Sequence, residues 1–142
     1  MKPDVKIFFI GSIRGGRINQ PQYAGIVEIL EQYGIVFSEH VADKSLGGYG
    51  ETDLEKEEIH NRELDNLLKS DLVVAEVTTP SLGVGYLLAE ALRLNKKVIA
   101  LYNGEDTLKL SAMIKGNKNV KVYLYKTEED LRKIFTAVMQ KT

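Results

Sequence analysis

The chain has 142 residues with 19 Lys and Arg against 20 Asp and Glu, so its net charge of -1 provides no broad attraction to nucleic acid or an anionic membrane. It contains no cysteine, which removes disulfides, thiolate metal sites and cysteine nucleophiles from consideration. At 44% hydrophobic residues the length suits one globular domain over residues 1–142, and no apolar run approaches the ~20 residues of a spanning helix. The opening MKPDVKIFFIGS lacks a signal-peptide core, so the expectation is a cytoplasmic protein with no membrane and no nucleic-acid partner.

The first predicted strand is Val5 to Ile10, followed at once by Gly11, Ser12, Ile13, Arg14, Gly15, Gly16 and Arg17. Glycines that admit close backbone approach, a serine hydroxyl and two arginines suit a phosphate cradle, although the pattern is neither GxGxxG nor a Walker motif. A helix capped by Asn19 runs to about Tyr33, with Pro21 in its first turn and Ile26, Val27 and Leu30 on its buried stripe; Gly34 stops it. The second strand, Ile35 to Glu39, delivers His40 to the edge where open α/β sheets bind ligands. Thr52 and Glu55 suggest a capping box for a helix from about Asp53 to Lys69, with Leu54, Ile59, Leu64, Leu67 and Leu68 facing the core. His60 and Glu63 lie one turn apart on it, but two histidines and no HExxH are too few for a metal site, and no cofactor is expected.

Leu72, Val73, Val74, Ala75 and Val77 form the apolar run of a strand buried on both faces. Thr78, Thr79, Pro80 and Ser81 end it, Ser81 caps the next helix, and Gly83 and Gly85 open the helix start to an anion. That helix runs to about Asn95 and buries Leu88, Ala91 and Leu92. A fourth strand follows from Val98 to Tyr102, then a short turn from Leu110 to Gly116 that exposes Met113 and Ile114 toward another surface. Val120 to Tyr125 and a helix from Glu128 to about Gln140, packing Leu131, Ile134, Phe135 and Val138, complete the chain. Strict βα alternation predicts a flavodoxin-like or Rossmann-like five-stranded parallel sheet in the order 2-1-3-4-5, with helices on both faces. In that order the two anion-suited loops flank one crevice, between strands one and three.

Four motifs, GSIRGGR at Gly11 to Arg17, EHVAD at Glu39 to Asp43, AEVTTPSLGVGY at Ala75 to Tyr86 and LSAMIKG at Leu110 to Gly116, resemble those of the 2'-deoxynucleoside 5'-phosphate N-hydrolases, relatives of the nucleoside 2-deoxyribosyltransferases. The resemblance covers essentially the whole chain. It implies a homodimer that hydrolyses the N-glycosidic bond of deoxynucleoside 5'-monophosphates to free base and deoxyribose 5-phosphate. Carried over position by position, it implies substrate contacts at Phe9, Ile10, Gly11, Ser12, Ile13, Arg14 and Gly15, at Tyr23 and His40, and at Ser81, Gly83 and Leu87. It also implies that Ser111, with Ala112 and Met113, reaches into the neighbouring subunit's site.

The chain departs from that pattern at the chemistry. The family's nucleophilic glutamate follows the GVGY tyrosine, where this chain has Leu87. Phe8 stands for an assisting tyrosine and Glu63 for an aspartate. Glycosidic cleavage wants a carboxylate near the sugar and an acid near the leaving base, so Glu63 and Glu90 are the candidate catalytic residues. Glu90 lies three residues beyond Leu87, about 4.5 Å deeper along the helix. Two other readings stay open: a deoxynucleotide binder that has lost catalysis, and a deoxyribosyltransferase. The phosphate-suited loops argue against the second, because an unphosphorylated nucleoside needs no such cradle.

Overall fold

The computed structural model describes residues 4–12, 20–38 and 55–141. Five strands, β1 (Lys6–Ile10), β2 (Ile35–Phe37), β3 (Leu72–Glu76), β4 (Lys97–Asn103) and β5 (Lys121–Tyr125), form one parallel sheet in the order β2-β1-β3-β4-β5. Five helices alternate with them: α1 (Gln20–Leu30), α2 (Lys56–Lys69), α3 (Leu82–Arg93), α4 (Ala112–Lys115) and α5 (Glu128–Gln140). The expected topology is therefore the observed one.

Period-two alternation along each strand divides the core between the two faces of the sheet. Ile7, Phe9, Leu72, Val74, Ile99 and Leu101 point toward α1 and α5, where they meet Ile26, Leu30, Leu131 and Phe135. Phe8, Ile10, Val73, Ala75, Val98 and Ala100 point toward α2 and α3, where they meet Leu67, Val84, Leu88 and Ala91. All five residues of β3 are buried, as a strand covered on both faces requires. Each fully buried Leu, Ile or Phe contributes about 1.5–3 kcal/mol by leaving water, so these two layers dominate the stability.

Several element ends differ from expectation. Helix α1 stops at Leu30, with Gln32 and Tyr33 bonded back to Ile29 and Leu30 in a tighter turn. Gly34 then passes so close to β1 that an added Cβ would stand 2.2 Å from the Val5 carbonyl oxygen. Strand β2 ends at Phe37. Helix α2 begins at Lys56 under a capping box between Glu55 and Glu58; the expected Thr52 cap and Leu54 lie outside the described residues. On α2, Leu68 is 58% exposed, whereas Glu63 is buried. The Lys96 ammonium donates to the carbonyls of Leu68 and Ser70 at 2.8 Å each, which satisfies the end of α2 and leaves Leu68 facing out. No helix among the described residues is long and apolar enough to cross a membrane.

Candidate active site

In the order β2-β1-β3, the chain leaves β1 and β3 toward opposite sides, and the crevice beyond their carboxyl ends is where open α/β sheets hold ligands. On the β1 side, Gly11 and Ser12 are buried, and the Ser12 backbone N–H donates to the Tyr23 hydroxyl at 3.1 Å. Tyr23 is itself 2% exposed and packs edge-on against Phe9, with ring centroids 5.6 Å apart. A Cβ at position 11 would stand 2.9 Å from the Tyr23 ring, so the glycine is what lets the tyrosine reach Ser12. Phe8, Phe9 and Ile10 send their side chains into the cores, so only their backbone is free to meet a ligand. The expected contacts Ile13, Arg14, Gly15 and His40, together with Asn19, lie outside the described residues.

On the β3 side, the Ser81 hydroxyl accepts the Val84 N–H at 3.2 Å and caps α3. An added Cβ at Gly85 would meet nothing within 4 Å, and at Gly83 only the Ser81 hydroxyl at 3.9 Å. The fold's own packing therefore has no need of these glycines, and open space lies over the first turn of α3. The N–H groups and dipole of a helix start suit an anion in that space.

The chain's turn toward Ser81 is governed by Glu76, which sequence reasoning passed over as part of an apolar strand. It is 1% exposed at the end of β3. Its Oε1 accepts the Thr78 N–H at 2.7 Å, and its Oε2 accepts the Thr78 hydroxyl at 2.9 Å and the Tyr125 hydroxyl through a short bond. Burial pushes the Glu76 carboxyl above the usual glutamate range, against the opposing effect of these donors. Burial, and then the Glu76 charge, likewise push the Tyr125 hydroxyl well above an ordinary phenol.

Of the candidate carboxylates, Glu63 is 6% exposed on α2, and the Arg62 guanidinium contacts its Oε2 at 3.2 Å. Glu90 is paired with Arg93, whose Nη2 donates to Oε2 at 2.9 Å. That hydrogen bond holds Glu90 below the usual carboxylate range. Leu87 is half-buried and joins the apolar cluster that contains Phe8 and Leu88. Beside it, Tyr86 shares a 3.1 Å hydrogen bond with His60 Nε2, their rings edge-on at 5.7 Å, which ties α2 to α3. His60, considered in the sequence only as a metal ligand, is thus a link between the helices that carry Glu63 and Leu87. No group of three metal-ligating side chains occurs among the described residues.

Ser111 caps α4 by accepting the Met113 N–H at 3.2 Å, and Met113 is 85% exposed, as expected of this turn. Ile114, expected to be exposed, is half-buried against the α2/α3 core.

Comparison with known proteins fits this geometry. The family model described as nucleoside 2-deoxyribosyltransferase matches residues 7–132. A 5-hydroxymethyl-dUMP N-hydrolase of Danio rerio is 47% identical over 79% of this chain and 78% of its own. The Rattus norvegicus protein of the same name is 49% identical over 78% of this chain and 68% of its own. Among solved structures, the CMP N-glycosidase BcmB of Clostridium botulinum superposes with a TM-score of 0.64 over 92% of this chain and 98% of its own, at 17% identity, a likeness of fold. From the β1 strand into the first turns of α5, then, this chain belongs to the nucleoside 2-deoxyribosyltransferase family, in its 2'-deoxynucleoside 5'-phosphate N-hydrolase branch.

Proposed function

We propose that the protein binds 2'-deoxynucleoside 5'-monophosphates in the β1/β3 crevice and hydrolyses their N-glycosidic bond, releasing free base and deoxyribose 5-phosphate. The observation that supports this reading is the open, Ser81-capped helix start at Gly83 and Gly85, which is suited to a phosphate and follows β3, the strand beside β1 in the sheet. The family resemblance assigns Arg14 and Gly15, which lie outside the described residues, to the same phosphate. Glu63, buried on α2 at the position of the family's aspartate, serves as the acid or as the base that activates water. Incubation with the four deoxynucleoside monophosphates and 5-hydroxymethyl-dUMP, followed by chromatography of free base, tests the activity. No release above buffer at high enzyme concentration overturns it.

A second reading, monophosphate binding without turnover, is favoured by one observation: Leu87 and Phe8, which stand at the positions of the family's nucleophile and assisting tyrosine, belong to one apolar cluster. Calorimetric binding with no base release supports this reading, and release supports the first. We further assign the protein to a homodimer in which Ser111 reaches the partner's phosphate site. Leu82, Leu108 and Met113, at 96%, 85% and 85% exposure, supply apolar surface for such an interface. Sedimentation equilibrium at a monomer mass would refute the dimer.

A further inference from the structure

The buried carboxyl of Glu76 joins elements that approach both halves of the crevice. Thr78 turns its N–H and its hydroxyl back onto Glu76, and its hydroxyl oxygen also accepts the Asn103 N–H at 2.8 Å, so the chain leaving β3 is fastened to the end of β4. Ser81 follows three residues later. On the other side of Glu76, Tyr125 reaches across from β5, and its hydroxyl oxygen accepts the Gln22 side-chain amide at 2.5 Å. Gln22 is adjacent in α1 to Tyr23, whose hydroxyl holds the Ser12 N–H. Consecutive residues of one helix thus fix the β1 loop directly and the β3 loop through Tyr125, Glu76 and Thr78.

Both hydroxyls that meet Glu76 already accept from a nitrogen donor, so their protons are directed at its Oε2. Such wiring requires an acceptor at that atom. An amide nitrogen there would face two donors, and an apolar side chain would leave three donors without a partner. We infer that Glu76 is a positioning residue for the phosphate cradle, holding the Ser81 turn at a fixed distance from Ser12 so that one phosphate can engage both.

This inference rests on the reading of the crevice as a monophosphate site. It predicts that weakened binding is confined to phosphorylated ligands, because the damage is to the spacing of the two loops. Calorimetry on the wild-type chain, Glu76→Gln and Tyr125→Phe, with a deoxynucleoside monophosphate, deoxyribose 5-phosphate and the unphosphorylated deoxynucleoside as probes, tests it. Tyr125→Phe keeps the buried ring and removes only the hydroxyl, so it remains informative if Glu76→Gln fails to fold. The expected result is about tenfold or greater weakening for both phosphorylated probes, the scale of one lost charge-assisted hydrogen bond, with nucleoside affinity unchanged. Unchanged phosphate affinity in a folded Tyr125→Phe variant, or equal weakening for all three probes, overturns the inference while leaving the monophosphate reading intact. A wild-type chain that fails to bind either phosphorylated probe overturns both.

Discussion

Replacing Leu87 with glutamate tests how far the apolar character of this position limits the chemistry. Leu87 is half-buried against a cluster that includes Phe8, so its loss forfeits about 1 kcal/mol of apolar burial, roughly half the value of a fully buried leucine. Partly desolvating the new carboxylate costs about 1–2 kcal/mol more. A total of about 2–3 kcal/mol, at about 2–4 °C per kcal/mol for a chain of this size, lowers the melting temperature by roughly 4–12 °C. Against that cost, a carboxylate at the family's nucleophile position should raise base release by about 10²–10⁴-fold, or roughly 3–5 kcal/mol off the barrier. The apolar surroundings raise the pKa of the introduced group, so the gain should grow as pH rises above the ordinary glutamate range. Base release followed by chromatography from pH 5 to 8, alongside thermal melts, measures both effects. A Leu87→Glu variant that is folded and binds monophosphate, yet gains less than about threefold, would refute the assignment of position 87 to the reacting centre. Phe8→Tyr sharpens the test: alone it buries a hydroxyl within an apolar cluster and destabilises, whereas combined with Leu87→Glu it gains a partner, so the two changes should be non-additive in both stability and rate.

Other perturbations separate site from scaffold. Glu63→Gln keeps the shape of the buried side chain and removes its titration, so any base release by the wild-type chain should fall about 10²–10⁴-fold with monophosphate affinity retained; equal activity removes Glu63 from the chemistry. Gly85→Ala adds a methyl group to open space in a helix and should raise stability by about 0.5–1 kcal/mol while weakening monophosphate binding, whereas Gly34→Ala drives a Cβ against the Val5 carbonyl and should be among the most destabilising single changes; melts and calorimetry on both variants check the contrast. Asp130, in the capping box of α5, is held below the usual aspartate range by the N–H groups of Lys126 and Thr127, so its stabilisation is complete above the ordinary aspartate pKa and is lost as pH falls through the depressed folded value. The melting temperatures of wild type and Asp130→Asn should therefore differ at pH 7 and converge in strong acid; a constant gap contradicts the assignment.

The sheet order was legible because its signals are local and repeat: LVVAEV can be buried on both faces only in a covered parallel strand, and strict strand–helix alternation leaves few ways to wind it. The Ser81 cap of α3 was legible for a similar reason, since a good capping residue stood between such a strand and the next helix. The Glu55–Glu58 box at the start of α2 was hard to read because Thr52 and Glu55, and Glu55 and Glu58, share a spacing, and spacing alone does not choose between acceptors. Glu76 and His60 were harder, because their partners are set by register and helix crossing.

Glu76 pairs with Leu101 across β3 and β4, and Leu101 pairs with Tyr123 across β4 and β5. Tyr125, two residues on, is therefore on the same face of the sheet and one step further toward its carboxyl edge, where its hydroxyl can turn back to Glu76. A lone carboxylate in an otherwise apolar strand was the available signal, since a charge is not buried without partners. The same reasoning distinguishes Glu76 from Leu87. The buried acid at 76 accepts from three donors of the fold, while position 87 faces the apolar cluster without a polar atom of its own. Of the buried side-chain carboxyls among the described residues, Glu63 is the one on the α2/α3 face, and the proposal that it acts at the sugar rests on that placement.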